Sequence, residues 1–108
     1  MITSKMESAI LSYQKGRKFE WQVRRLLESR GWLTVRVARS KPLDLIALKN
    51  GSILLIECKY SSRISEKDKS KLIEMARVSA GKPILALRKK YERRIRLINL
   101  EDGAQFNP

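Results

Sequence analysis

The chain has 108 residues, 43% of them apolar, with 24 lysines and arginines against 11 acidic residues and a net charge of +13. That length holds one domain with one modest core, and that charge points to a polyanionic partner, nucleic acid before an anionic membrane. The single cysteine, Cys58, excludes an intramolecular disulfide and a multi-cysteine zinc site, and the lack of histidine excludes Ser-His-Asp and Cys-His catalysis.

In chain order, residues 4–14 carry Met6, Ala9, Ile10 and Tyr13 at helical spacing, an amphipathic N-terminal extension. Gly16 either breaks that helix or is tolerated inside one longer helix. Over residues 17–30, Phe19, Val23, Leu26 and Leu27 form an apolar stripe, with Glu20 at its border and Gly31 as a stop. Residues 32–38 alternate, so Leu33, Val35 and Val37 share one strand face and Thr34 and Arg36 the other, wetter one. A basic loop, Arg39-Ser40-Lys41-Pro42, leads into two apolar runs joined by Asn50-Gly51. Ser65 and Asp68 resemble a capping box that opens a helix over 66–79, with Leu72, Ile73, Ala76 and Ser79 inward and Gly81 as its stop. Strands over 84–88 and 95–100 flank a very basic turn at 88–94, and residues 101–108 read as a frayed tail. The expectation is a single α/β (α+β) domain over 1–108, a mixed sheet of about five strands flanked by helices in the order α-β-β-β-α-β-β. No apolar run approaches the ~20 residues of a membrane span, and the start of the chain lacks a secretory apolar core, so an intracellular protein is expected.

The central runs carry the chemistry. Asn-Gly between alternating apolar residues predicts a two-residue type I′ hairpin. Its register sets Lys49 opposite Ser52, Leu48 opposite Ile53 and Asp44 opposite Glu57, with Lys59 on the same face. Two like charges directly opposed destabilise a sheet, and a divalent cation is the natural offset. A phosphodiester cleaved by water needs such an ion, and Lys59 can meet the attacking water or the scissile phosphate. The plainer reading makes Glu57–Lys59 a surface pair and Asp44 a strand-start residue. Against it, both acids sit inside apolar runs, Leu43–Leu48 and Ile53–Ile56 followed by Glu57. For Glu20 the plain reading is a helix-surface partner of Arg24 at i+4.

Pro42-x-Asp44, twelve residues, then Glu57-Cys58-Lys59 resembles the PD-(D/E)xK nuclease core. Lys15-Gly16-Arg17-Lys18-Phe19-Glu20, followed by Val23-x-x-Leu26-Leu27 and Gly31-Trp32, resembles the first helix of the archaeal Holliday-junction resolvases, the Hjc-like family. Asp44-Leu45-Ile46-Ala47 and Ile56-Glu57-Cys58-Lys59 resemble the same family, and the similarity runs over about residues 15–100. The resemblance implies a restriction-endonuclease-like fold and a homodimer that cuts four-way DNA junctions with Mg²⁺, or Mn²⁺ in its place. It implies Asp44 and Glu57 as metal ligands, Glu20 as a further acidic residue of the metal site and Lys59 as the catalytic lysine. The backbone carbonyl of Cys58 joins the ligands by the same implication, while the thiol points to the opposite face as a small core residue. Ser40 is the counterpart of a serine that these resolvases carry before the motif aspartate. The loop here is shorter, and a plain polar loop residue is the competing reading of Ser40.

Lys15, Arg17, Lys18, Arg24, Arg25, Arg36, Arg39 and Lys41 lie near the site in sequence and are the expected DNA phosphate contacts. The 88–94 turn either grips a junction arm or only solubilises the chain, and Lys67, Lys69 and Lys71 divide the same way. Trp21, Trp32, Met75 and Phe106 are possible dimer anchors, each also readable as ordinary core. The partners expected are a DNA junction and a second copy, with no membrane and no small-molecule cofactor, in a nucleoid-associated setting. Two alternatives stand beside this: another nicking or repair nuclease of the same fold, and a non-catalytic basic DNA-binding protein.

Overall fold

A computed structural model describes residues 3–38 and 41–108, the Ser12 side chain apart. The elements run α1 (Ser4–Ser29), β1 (Leu33–Arg36), β2 (Leu45–Lys49), β3 (Ser52–Tyr60), α2 (Glu66–Ser79), β4 (Lys82–Arg88) and β5 (Arg96–Asn99). This is the expected order. Gly16 is tolerated, so α1 is one helix, and Thr3 caps it by accepting the Met6 N–H at 3.2 Å. Ser65 caps α2 in the same way, through the Asp68 N–H at 3.1 Å.

The five strands lie in the spatial order β1-β2-β3-β4-β5. All neighbours are antiparallel except β3 and β4, which are parallel because α2 crosses over between them. Helix α1 packs on β1 and β3, burying Phe19, Val23 and Leu27 against Leu45, Leu54, Ile56 and Ile84. Helix α2 covers β3 and β4 on the other face, with Leu72 and Ala76 against Leu55 and Leu85. Full burial of each such leucine or phenylalanine contributes roughly 1.5–3 kcal/mol, so these two layers carry most of the stability.

Four expectations need correction. Thr34 and Arg36 are not the wetter face of β1: they face α1, and Leu33 and Val35 are 64% and 45% exposed instead. The reason is position, since β1 is an edge strand and α2 packs on β3 and β4, away from it. The left-handed residue that ends α2 is Ala80 (φ 57°), not Gly81. Gly81 follows it, with its N–H on the Ala76 carbonyl. Residues 101–108 are not frayed: the Phe106 N–H donates to the Leu97 carbonyl at 2.8 Å, and the Phe106 ring meets Trp32 edge-on at 6.3 Å. Trp32 is thereby core and no free anchor, whereas Trp21 is exposed beneath Arg25. Among the described residues no helix is long and apolar enough to cross a membrane.

Candidate active site

Asn50 and Gly51 both take positive φ, 47° and 80°, as a type I′ turn demands. The hairpin has the register read from the sequence, from Lys49↔Ser52 to Leu45↔Ile56. The ladder stops there, one pair short of Asp44 and Glu57. The Asp44 N–H then bonds the Ile56 carbonyl at 2.9 Å, and Asp44 Oδ2 accepts the Cys58 N–H at 2.8 Å. Asp44 therefore grips the backbone on both sides of Glu57. That grip fixes the two carboxylates at the foot of one cleft, which Lys59, Glu20 and Arg36 also line.

Glu57 is 5% exposed, and Lys59 Nζ stands 3.2 Å from its Oε1. Among the described residues its Oε2 is buried with no hydrogen-bond partner. Burial pushes the Glu57 carboxyl above its ordinary range; Lys59 opposes this, while Asp44 and Asp68 add to it. Burial also raises Asp44, with the Cys58 N–H opposing and Glu20 reinforcing. Both groups are paying a desolvation penalty that a cation between them would relieve. Their free oxygens are hard donors of the kind Mg²⁺ takes.

Glu20 lines the cleft, but its Oε1 is held by Arg36 Nε at 2.7 Å. Its partner is this cross-element arginine, not Arg24, which donates to Thr34. Among the described residues no group of three ligating side chains is arranged to hold an ion. The Cys58 side chain packs with the α1-side core, and burial among Asp44, Glu20 and Glu57 pushes its thiol well above the ordinary range.

The basic residues divide clearly. Arg17, Arg36 and Lys41 line the cleft of Asp44 and Glu57, and Lys15 lines an adjoining one with Lys41, Lys59, Ser61, Ser62 and Lys90. Lys18 and Arg88 continue that surface past Tyr60. Arg24 and Arg25 line none of these clefts. Arg39 and Ser40 fall outside the described residues. Sequence reasoning missed Tyr13, Asp68, Ser61, Ser62 and Lys90 as lining residues. The signal for the last three was the β-α-β order: parallel β3 and β4 bring their ends together, and the Ser61 N–H bonds the Arg88 carbonyl at 2.9 Å.

Comparison with known proteins identifies the family of the chain. The family model for the archaeal Holliday junction resolvase (Hjc) matches residues 11–105. The chain is 44% identical over 80 residues to the crossover junction endodeoxyribonuclease Hjc of Methanocaldococcus jannaschii, covering 70% of this chain and 60% of that relative's length. The solved structure of the Archaeoglobus fulgidus Holliday junction resolvase Hjc superposes with a TM-score of 0.70 over 81% of this chain and 74% of that one, at 24% identity, a likeness of fold. With the match spanning 95 of 108 positions (residues 11 through 105), the chain belongs to the archaeal Holliday junction resolvase family.

Proposed function

We propose that the chain is a divalent-metal-dependent endonuclease that cuts four-way DNA junctions in paired strands, as a homodimer inside the cell. The observation that carries this reading is the Glu57 Oε2, without a hydrogen-bond partner among the described residues and buried beside Asp44 in a cleft with a basic rim. A buried carboxylate oxygen without a donor is costly unless a cation meets it. Asp44 and Glu57 would hold Mg²⁺, or Mn²⁺ in its place, with the Cys58 carbonyl as a third protein oxygen. When bound, the ion supplies water activation near neutral pH and neutralises charge at the scissile phosphate.

The chain's own residues do the rest. Lys59 orients the attacking water and holds the phosphate oxygen, positioned by its contact with Glu57. Arg36 keeps Glu20 beside the site, and Glu20 would be a further oxygen ligand for the ion if released from Arg36. The path through Lys41, Lys15 and Lys90 carries the flanking phosphates. Ser40, four positions before Asp44 in the sequence, stays a catalytic candidate outside the described residues. Two symmetric cuts need two sites, which a two-fold pair of chains supplies.

The test is cleavage of an end-labelled synthetic four-way junction, with Mg²⁺ or EDTA, competed against linear duplex, flap and nicked DNA. Paired, metal-dependent cuts confined to the junction are expected. Equal cleavage of linear duplex would make the chain a different nuclease of this fold. Binding without cutting in either Mg²⁺ or Mn²⁺ would leave a non-catalytic DNA-binding protein.

A further inference from the structure

The first four turns of α1 stand clear of the core. Every described side chain from Thr3 to Lys18 is exposed, and the first buried residue of the helix is Phe19. Met6, Ile10 and Tyr13 are 51%, 46% and 64% exposed. At 3.6 residues per turn, positions 6, 10, 13, 17 and 20 fall within roughly 80° of the helix circumference. The last three of these, Tyr13, Arg17 and Glu20, line the catalytic cleft. The unpartnered apolar stripe therefore runs straight out of the site. Arg17 Nη1 donates to the Tyr13 hydroxyl at 3.0 Å, which fixes the ring where the stripe enters the cleft.

An isolated helix of this length is marginal in water, and an exposed apolar stripe gains stability only from a partner. The charge of the segment selects that partner. Residues 4–18 hold four basic side chains and one acid, Glu7. A second protein surface would not be favoured by that balance, whereas a nucleic acid would. Methionine and isoleucine are also the side chains that wedge between base steps, and tyrosine is a stacking platform. The family match begins only at residue 11, so Met6 and Ile10 lie ahead of it.

We infer that Met6, Ile10 and Tyr13 form an apolar wedge that packs on the base faces left open at the centre of a four-way junction. The inference rests on the junction-cutting reading. It assigns the preference for branched over linear DNA to the free turns of α1, while the basic clefts supply affinity for either. A continuous duplex offers no open base face, so it gains nothing from the stripe.

The experiment measures binding of the whole chain, in EDTA, to a synthetic four-way junction and to a linear duplex of the same arm sequence. Met6→Ser/Ile10→Ser/Tyr13→Ala is expected to weaken junction binding by roughly tenfold or more and duplex binding far less, from the usual scale of base–aromatic stacking. Leu11→Ser, on the opposite side of the helix, is the control and should keep the preference. A photo-reactive p-benzoylphenylalanine in place of Tyr13 should cross-link to branch-point nucleotides, a readout that needs no loss of function. If wild-type protein prefers the junction and the triple variant prefers it equally, the wedge is overturned and the resolvase reading stands. Cross-links to arm ends or to a second copy also overturn it. If wild-type protein binds both DNAs equally, the junction reading falls and the wedge with it.

Discussion

Asp44 and Cys58 are joined side chain to backbone: the Cys58 N–H donates to Asp44 Oδ2 at 2.8 Å. This bond gives the aspartate a structural role apart from any metal, and the two roles separate by substitution. Asp44→Asn keeps an acceptor for the Cys58 N–H and loses the charge. It should cut junctions at least about a hundredfold more slowly, as loss of metal stabilisation worth several kcal/mol implies. Its binding in EDTA should hold, and its metal-free melting temperature should not fall, since burial disfavours the charged carboxylate. Asp44→Ala should also lose about 1–2 kcal/mol of stability, because a part-buried N–H loses its partner. Wild-type cleavage by Asp44→Asn would remove this residue from the site.

Glu57 makes a pH prediction with a definite sign. Burial raises its carboxyl in the folded protein, as it raises that of Asp44. The metal-free fold therefore binds these protons more tightly than the unfolded chain does. The stability they contribute is complete below the ordinary carboxylate range and is lost as pH rises through the raised values. At neutral pH and in EDTA, Glu57→Gln should melt higher than wild type by a few degrees, on the order of 1 kcal/mol for a domain of this size. Mg²⁺ or Mn²⁺ should stabilise the wild type and not the variant. A lower melting temperature for Glu57→Gln under those conditions would contradict the account.

Arg36 holds Glu20 at 2.7 Å, so a cation at the proposed site would have to compete with it. Arg36→Met removes that competitor and a positive charge from the rim of the cleft. Isothermal titration with Mn²⁺ should show tighter binding, by several-fold, since one part-exposed ion pair is worth about 1 kcal/mol at most. Unchanged affinity would mean that Glu20 never reaches the ion.

Ala80 is an alanine in a left-handed conformation, φ 57°, at the end of α2. Ala80→Gly should stabilise the protein by about 0.5–1 kcal/mol, the backbone strain relieved less the added freedom of the unfolded chain. Gly81→Ala should do the reverse, because its Cβ would stand 3.1 Å from the Ile53 carbonyl oxygen. Denaturant melts of both variants check the pair. Equal stability would show that the left-handed turn stores no strain.

The hairpin was legible because Asn50-Gly51 permits one turn and the apolar alternation permits one register, and from the sequence alone that brings Asp44, Glu57 and Lys59 to one cleft. What stayed hidden depended on contacts distant in sequence. Glu20 has arginines at i+4 and at sixteen residues' distance, and only the packing of α1 over β1 selects Arg36. Alternation in β1 told which residues share a face, but not that α2 packs elsewhere and leaves Leu33 and Val35 open. Phe106 looked like part of a polar tail because its partner, Trp32, lies more than seventy residues away. The 88–94 turn stayed ambiguous until the parallel pairing of β3 and β4 brought Lys90 beside Ser61 and Ser62.

Lys15 on α1 and Lys90 in the turn after β4 line the same cleft, which also contains Lys59. If flanking phosphates pass there, each lysine releases counterions on binding. Lys15→Ala and Lys90→Ala should each weaken binding to every DNA form alike and lower the slope of log affinity against log salt by about 1. Lys71, an exposed α2 residue that lines none of the described clefts, should leave the slope unchanged when replaced by alanine. The pairing of the two effects matters more than their size. A phosphate contact shifts affinity and salt slope together without altering the preference for a junction over a duplex. A variant at either lysine that erased that preference while keeping the wild-type slope would mean that the cleft reads the shape of the branch point and does not track the backbone.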